Sequence, residues 1–133
     1  MESIKKIVIH CSDTPNGRVH NAADIHKWHT SPPRNWSGIG YHYVIKLNGT
    51  VEKGRPEYWQ GAHVRGHNHD SIGICLIGRD IFKRSQMKAL KTLISDIMMR
   101  HNIDRVCGHH ELDHRKTCPN FDVKEWLQKG MPV

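Results

Sequence analysis

The sequence predicts an α/β fold: a central mixed β-sheet of about five strands flanked by helices. Three observations predict it. Two short runs, Ile4 to Ile9 and Ser71 to Ile77, have the length and the β-branched or apolar content of strands. Between Ser85 and His101 the apolar residues recur at helical spacing instead. Strand-like and helix-like segments are interspersed rather than segregated, which is the pattern of layered α/β proteins.

The elements follow in order. Ile4 to Ile9 reads as a first strand ending at His10-Cys11, and Ser12 to Gly17 is a loop. Asn21 is placed to cap a helix from Ala22 to about Thr30, since its side chain can accept from first-turn amides. Ser31 to Gly40 holds two prolines and two glycines and is a loop. Tyr41 to Leu47 alternates and predicts a strand. Asn48-Gly49 turns the chain into another short strand through Thr50-Val51. Glu52 to Asp70 is polar, histidine-rich and irregular, and Ser71 to Ile77 predicts a central strand. Ser85 is expected to cap a helix reaching about His101. Met87, Leu90, Leu93, Ile94, Ile97 and Met98 form its apolar face, and Arg84, Lys88 and Lys91 a solvated basic one. Arg105 to Cys107 reads as the last strand. Asp122 caps a final helix, Val123 to Lys129, stopped by Gly130.

With 133 residues, the chain is expected to form one domain over 1–133. No apolar run approaches the ~18 residues of a membrane span, so no membrane insertion is expected. The N-terminus has no apolar stretch of secretory-signal length, which predicts synthesis in the cytoplasm. A net charge of +7 favours an anionic partner: nucleic acid, anionic membrane or an acidic wall polymer. No nucleic-acid motif accompanies that charge, so no stable nucleic-acid complex is expected. The size favours a monomer. Twelve histidines point to metal or proton-transfer chemistry. Of the four cysteines, Cys75 and Cys107 read as core and Cys11 as a small buried residue.

A catalytic zinc site takes three protein ligands and leaves one position open. His10 ends the first strand, His109 follows Gly108 at the end of the last, and Cys118 precedes Pro119 in the loop beyond. Two strand ends and a following loop can converge on one ion. His110-Glu111-Leu112-Asp113-His114 also matches H-E-x-x-H, which binds zinc only when it lies on a helix. Gly108 before it, Arg115 to Pro119 after it and a lone apolar Leu112 make a chance match the better reading. Spacing alone leaves His109 and His110 both open as ligands. His42 should point opposite to Tyr41 and serve packing. Trp28 reads as core, and Trp36 as core or groove.

Four segments occur in order: VIHCSDT (Val8 to Thr14), WSGIGYHYVIKLNGTVEKGR (Trp36 to Arg55), GAHVRGHNHDSIGICLIG (Gly61 to Gly78) and GHHELDHRKTCPNFD (Gly108 to Asp122). Together they resemble the zinc-dependent N-acetylmuramoyl-L-alanine amidases, a family shared by phage endolysins and peptidoglycan recognition proteins. The small single-domain phage endolysins are the nearest in kind. The resemblance runs from about Ile4 to Trp126.

It implies the amidase-like fold of that family and one Zn²⁺ per chain on His10, His109 and Cys118. It implies hydrolysis of the amide between N-acetylmuramic acid and the L-alanine of the stem peptide by a zinc-activated water. Tyr41 and Lys116 match the family's catalytic residues, Tyr41 handling a proton and Lys116 steadying the oxyanion. Glu111 is the only carboxylate near enough to weigh as a base. His63, Arg65 and Asn68 fall in the segment that lines the substrate groove. The implied partner is bacterial peptidoglycan, reached after holin-type release from the host cytoplasm. Two other readings are a non-catalytic peptidoglycan-binding protein and a polymerase-binding regulator. The presence of Cys118, Tyr41 and Lys116 disfavours the first. The start of the chain almost at its first strand disfavours the second.

Overall fold

The structure is a computed structural model and describes residues 3–133. Its five strands are β1 (Lys6–Cys11), β2 (Tyr43–Ile45), β3 (Val51–Lys53), β4 (Ser71–Leu76) and β5 (Arg105–Gly108). They form one sheet in the order β3-β2-β4-β1-β5. β1 runs parallel to both β4 and β5, and β2 parallel to β4; β3 pairs antiparallel with β2. This is the mixed sheet the sequence predicts. The helices are α1 (Ala22–Thr30), α2 (Arg84–Arg100), α3 (His109–Leu112) and α4 (Val123–Gln128), with a 3-10 turn at Asn68–Asp70. No helix among the described residues is long and apolar enough to cross a membrane.

Strand alternation sorts β1 and β4 onto two faces. Ile7, Ile9, Ile72, Ile74 and Leu76 point toward α2 and meet Leu90, Leu93, Ile94 and Ile97. Those four helix residues stand at i, i+3, i+4 and i+7, which makes one stripe. Val123 and Trp126 of α4 close the same core. On the opposite face Cys75 packs with Ile25 of α1, Ile39 and Val44, while Val8 packs with Val64 and Cys107. His10 follows Val8 by two residues and so belongs to this second face, as do Ser71 and Gly73.

Several elements depart from expectation. β2 spans Tyr43–Ile45 rather than Tyr41 to Leu47. The regular ladder stops at His42 because its Nδ1 takes the Gly73 N–H at 3.0 Å, the donor a main-chain carbonyl would otherwise use. Ser85 does not cap α2; the helix starts at Arg84, and Ser85 Oγ donates to Leu47 O instead. Gln86 does the capping, its Oε1 accepting from Lys83 N at 2.9 Å while Nε2 donates to Ile77 O. Met98 is half exposed rather than core, since it lies beside the stripe that Ile94 and Ile97 complete. His109–Leu112 forms a short helix where none was expected.

One polar network ties the far end of α2 to β2. Glu57 accepts from Tyr43 Oη and from Arg100 Nη2, and pairs with His101 Nε2 at 2.7 Å. Burial alone would raise its carboxyl, but the hydrogen bonds from Arg100, Tyr43 and His101 hold it down to about 2. A depressed carboxyl stabilises the fold above its unfolded value of ~4.3, and that contribution is lost as pH falls toward 2. Urea unfolding followed across pH 5 to 2 should show wild-type stability falling. In Glu57→Gln that fall should be smaller by about 1–2 kcal/mol, the linkage value reduced for partial solvent screening.

Candidate active site

Parallel pairing brings the carboxyl ends of β1 and β5 to one edge of the sheet. The register pairs Ile9 with Gly108, so His10 and His109 come next on neighbouring strands. Their ring centroids lie 4.6 Å apart. Cys118 arrives from the loop after α3. Its Sγ accepts the Cys11 N–H at 2.8 Å, which ties the loop to the end of β1. One potential donor atom from each of His10, His109 and Cys118 lies within 4.8 Å of the others. These are the three residues singled out from the sequence, now in one cluster.

The structure also decides between the paired histidines. The His110 backbone N–H donates to Cys118 O at 3.0 Å, and its Nδ1 makes a second bond to the same carbonyl at 3.1 Å. His110 therefore anchors the cysteine loop and is turned away from the cluster. Gly108 makes this possible, since a Cβ there would stand 2.7 Å from His110 Cε1 and 2.9 Å from Pro119 Cδ. Glu111 is occupied as well: its Oε2 accepts the Gly108 N–H at 2.6 Å and caps α3. The weighed role of Glu111 as a base gives way to this cap. The H-E-x-x-H match fails on geometry, because α3 ends at Leu112 and leaves His114 beyond it, exposed.

The imidazoles here are held neutral. Burial lowers His10 well below the usual histidine range, helped by His63 and His109 beside it. Burial lowers His109 too, and takes His63 down to about 3. The hydrogen bond with the Cys11 side chain, and then burial, push the Cys118 thiol up. This donor set suits a soft dication. Neutral imidazoles are ready ligands, and only a nearby cation would favour the Cys118 thiolate. His10 is buried, while His109 and Cys118 are half-buried and leave one side open to the groove. Three ligands with an open side fit a catalytic zinc site rather than a closed structural one.

Two clefts, of about 500 and 370 Å³, meet over this cluster. Both are lined by His29, Arg34, Tyr41, His109, Arg115 and Lys116. Tyr41 is half-buried, its ring 5.0 Å from that of His10. Burial raises its phenol well above the usual value, so it keeps its proton. Lys116 is exposed on the rim of both clefts. Arg65 is exposed on the wall of the larger one. Asn68 lines it as well, with Oδ1 taking the N–H groups of His63 and Val64 at 2.9 Å each. His63 lines the same cleft from below. It is 8% exposed, and both its ring nitrogens are engaged, Nδ1 by His10 and Nε2 by Ser71. Neither ring nitrogen is left free for a substrate.

Sequence reasoning missed His29, Arg34 and Arg115. His29 follows Ile25 by one helical turn on the buried side of α1, and that spacing was the available signal. Its Nδ1 accepts the Gly40 N–H at 2.9 Å, and burial brings it down to about 4, so a neutral ring lines the groove. Arg34 and Arg115 lie in loops with no local pattern to mark them. Trp28 is 38% exposed and lines the smaller cleft, where it was expected in the core. Its ring packs edge-on against that of His20, with centroids 5.0 Å apart.

Comparison with known proteins shows the family and supports the fold. Residues 1–121 match the family described as N-acetylmuramoyl-L-alanine amidase. The endolysin of Escherichia phage T7 is 37% identical over 97% of this chain and 89% of its own length. That of Enterobacteria phage T3 is 36% identical over 93% of this chain and 85% of its own. The N-acetylmuramoyl-L-alanine amidase LysC from Clostridium intestinale superposes with a TM-score of 0.85 at 31% identity, over 98% of this chain and 87% of that one. Drosophila PGRP-LB, 24% identical, shares the fold with a TM-score of 0.82. With a family match over 121 residues, and phage relatives more than a third identical along most of both chains, this chain belongs to the N-acetylmuramoyl-L-alanine amidase family.

Proposed function

We propose that this chain is a one-domain peptidoglycan hydrolase that cleaves the amide between N-acetylmuramic acid and the L-alanine of the stem peptide. The observation that carries the reading is the His10, His109 and Cys118 cluster, which lines the smaller of two joined clefts with cationic walls. When bound to these three residues, zinc would acidify a water and polarise the scissile carbonyl.

The chain's own residues supply the rest. Lys116 on the rim places a fixed cation where negative charge develops on the amide oxygen. Tyr41 holds its proton and can deliver it by hydrogen bond toward the oxyanion or the leaving nitrogen. Neutral His29 offers a second donor from the same wall, since its accepting Nδ1 leaves the proton on Nε2. Arg34 and Arg65 suit the free carboxylates of a stem peptide, and Arg34 also stacks over Trp36 at 5.7 Å. Asn68 acts by shaping the loop that carries Arg65.

Digestion of purified peptidoglycan, read by mass spectrometry with and without a zinc chelator, tests the reading. Free stem peptides and intact glycan strands should be released, and the chelator should stop it. Cleaved glycan or cleaved peptide bonds would overturn the assigned bond, and tight wall binding without any product would make the chain a recognition protein. Lys116→Ala should lower kcat about 10²- to 10³-fold and leave zinc content unchanged in elemental analysis. Cys118→Ser should lose bound zinc and activity together.

A further inference from the structure

We propose that His63 and Ser71 are positioning residues that fix which nitrogen of His10 faces the metal. The inference rests on the reading of His10, His109 and Cys118 as zinc ligands, and extends it to residues with no place in that set.

The polarity of a four-member hydrogen-bond chain decides the matter. Ser71 Oγ lies 2.7 Å from the His67 carbonyl oxygen. A carbonyl only accepts, so the single hydroxyl proton of Ser71 is committed to it. Ser71 Oγ is also 3.2 Å from His63 Nε2, and with its proton committed it accepts there. His63 is therefore protonated on Nε2, and its Nδ1 carries a lone pair. That Nδ1 lies 2.8 Å from His10 Nε2. One proton must sit between them, and it belongs to His10. His10 is thereby the Nε2–H tautomer, and Nδ1 is left as its only lone pair for a metal.

The fold builds a slot for this relay. The His63 ring lies over Gly73 of β4, where a Cβ would come within 2.6 Å of ring carbon Cγ. A Cβ on Gly61 would meet the same ring at 2.7 Å. His10, Gly73 and Ser71 share one face of neighbouring parallel strands, paired in register as Val8 with Gly73 and His10 with Cys75. His10 and His63 are both buried, so no water competes for the bond between them. A ligand histidine held through its other nitrogen keeps its ring orientation, and loss of such a partner weakens metal binding 10- to 100-fold.

The test reads tautomers and zinc affinity in the whole chain. Long-range ¹H–¹⁵N correlation spectra of the metal-free protein should show His10 and His63 both protonated on Nε2. Added zinc should shift His10 Nδ1. Protonation of His10 on Nδ1, or a zinc shift at its Nε2, would overturn the proposal. His63→Leu keeps much of the volume and removes the acceptor. Its zinc dissociation constant, from competition with a chromophoric chelator, should rise 10- to 100-fold. His63→Asn can present a carbonyl near the Nδ1 position and should restore affinity to within a few-fold. An unchanged constant in folded His63→Leu would overturn the proposal. Should that variant fail to fold, Ser71→Ala serves: His63 should then populate both tautomers and zinc should bind more weakly, whereas an unchanged His63 spectrum would overturn it. These readouts need no substrate, so loss of the amidase reading would leave them intact, and their failure would leave the amidase reading intact.

Discussion

The site depends first on the parallel pairing of β1 with β4 and β5. Parallel strands end on the same side, so their carboxyl ends collect side chains distant in sequence. The register then sets which residues meet. Pairing Ile9 with Gly108 places His10 and His109 side by side, and pairing Val8 with Gly73 opens the space that His63 fills. A slip of one residue in β1 would send His10 into the α2 core and an isoleucine into the groove. The large apolar face against α2 forbids that slip, so the stability of the core and the accuracy of the site have one origin.

Packing several histidines together raises an electrostatic question. Two imidazolium rings about 5 Å apart would repel by about 3 kcal/mol at an effective dielectric constant of 20. Burial answers it by keeping the rings neutral, as the lowered values of His10, His63 and His109 show. Neutral rings have the lone pairs a metal would need and act as acceptors and donors of defined polarity. The positive charge is kept for the groove rim, on Arg34, Arg65 and Lys116, where water reaches it. Site floor and groove wall thus carry different electrostatic duties, separated by depth.

The segment from Gly108 to Pro119 shows how local pattern and three-dimensional role part company. It contains five residues in a familiar metal-binding order, yet His110 and Glu111 both hold backbone: His110 to Cys118 O, Glu111 to Gly108 N. These bonds orient the turn that presents His109 and the loop that presents Cys118. The residues that look catalytic by pattern support the ones that are placed to act.

The sequence by itself determined most of the elements and, through its family resemblance, the candidate trio of His10, His109 and Cys118. Hydrophobic period, Asn21 and Asp122 as caps and the Asn48-Gly49 turn are local signals, and local backbone preferences follow them directly. The ordered motifs carried the family and, with it, His10, His109 and Cys118. Only the tertiary structure turned His110 onto the Cys118 carbonyl, moved Trp28 to the groove, and put Ser85 and Glu111 to other uses. It alone revealed His29, Arg34 and Arg115 on the groove and His63 behind His10. Those outcomes depend on which donor meets which acceptor across the sheet, over separations such as the 53 residues from His10 to His63. Residue type and spacing encode how a chain bends, whereas hydrogen-bond partners are settled by register and burial once the strands have paired.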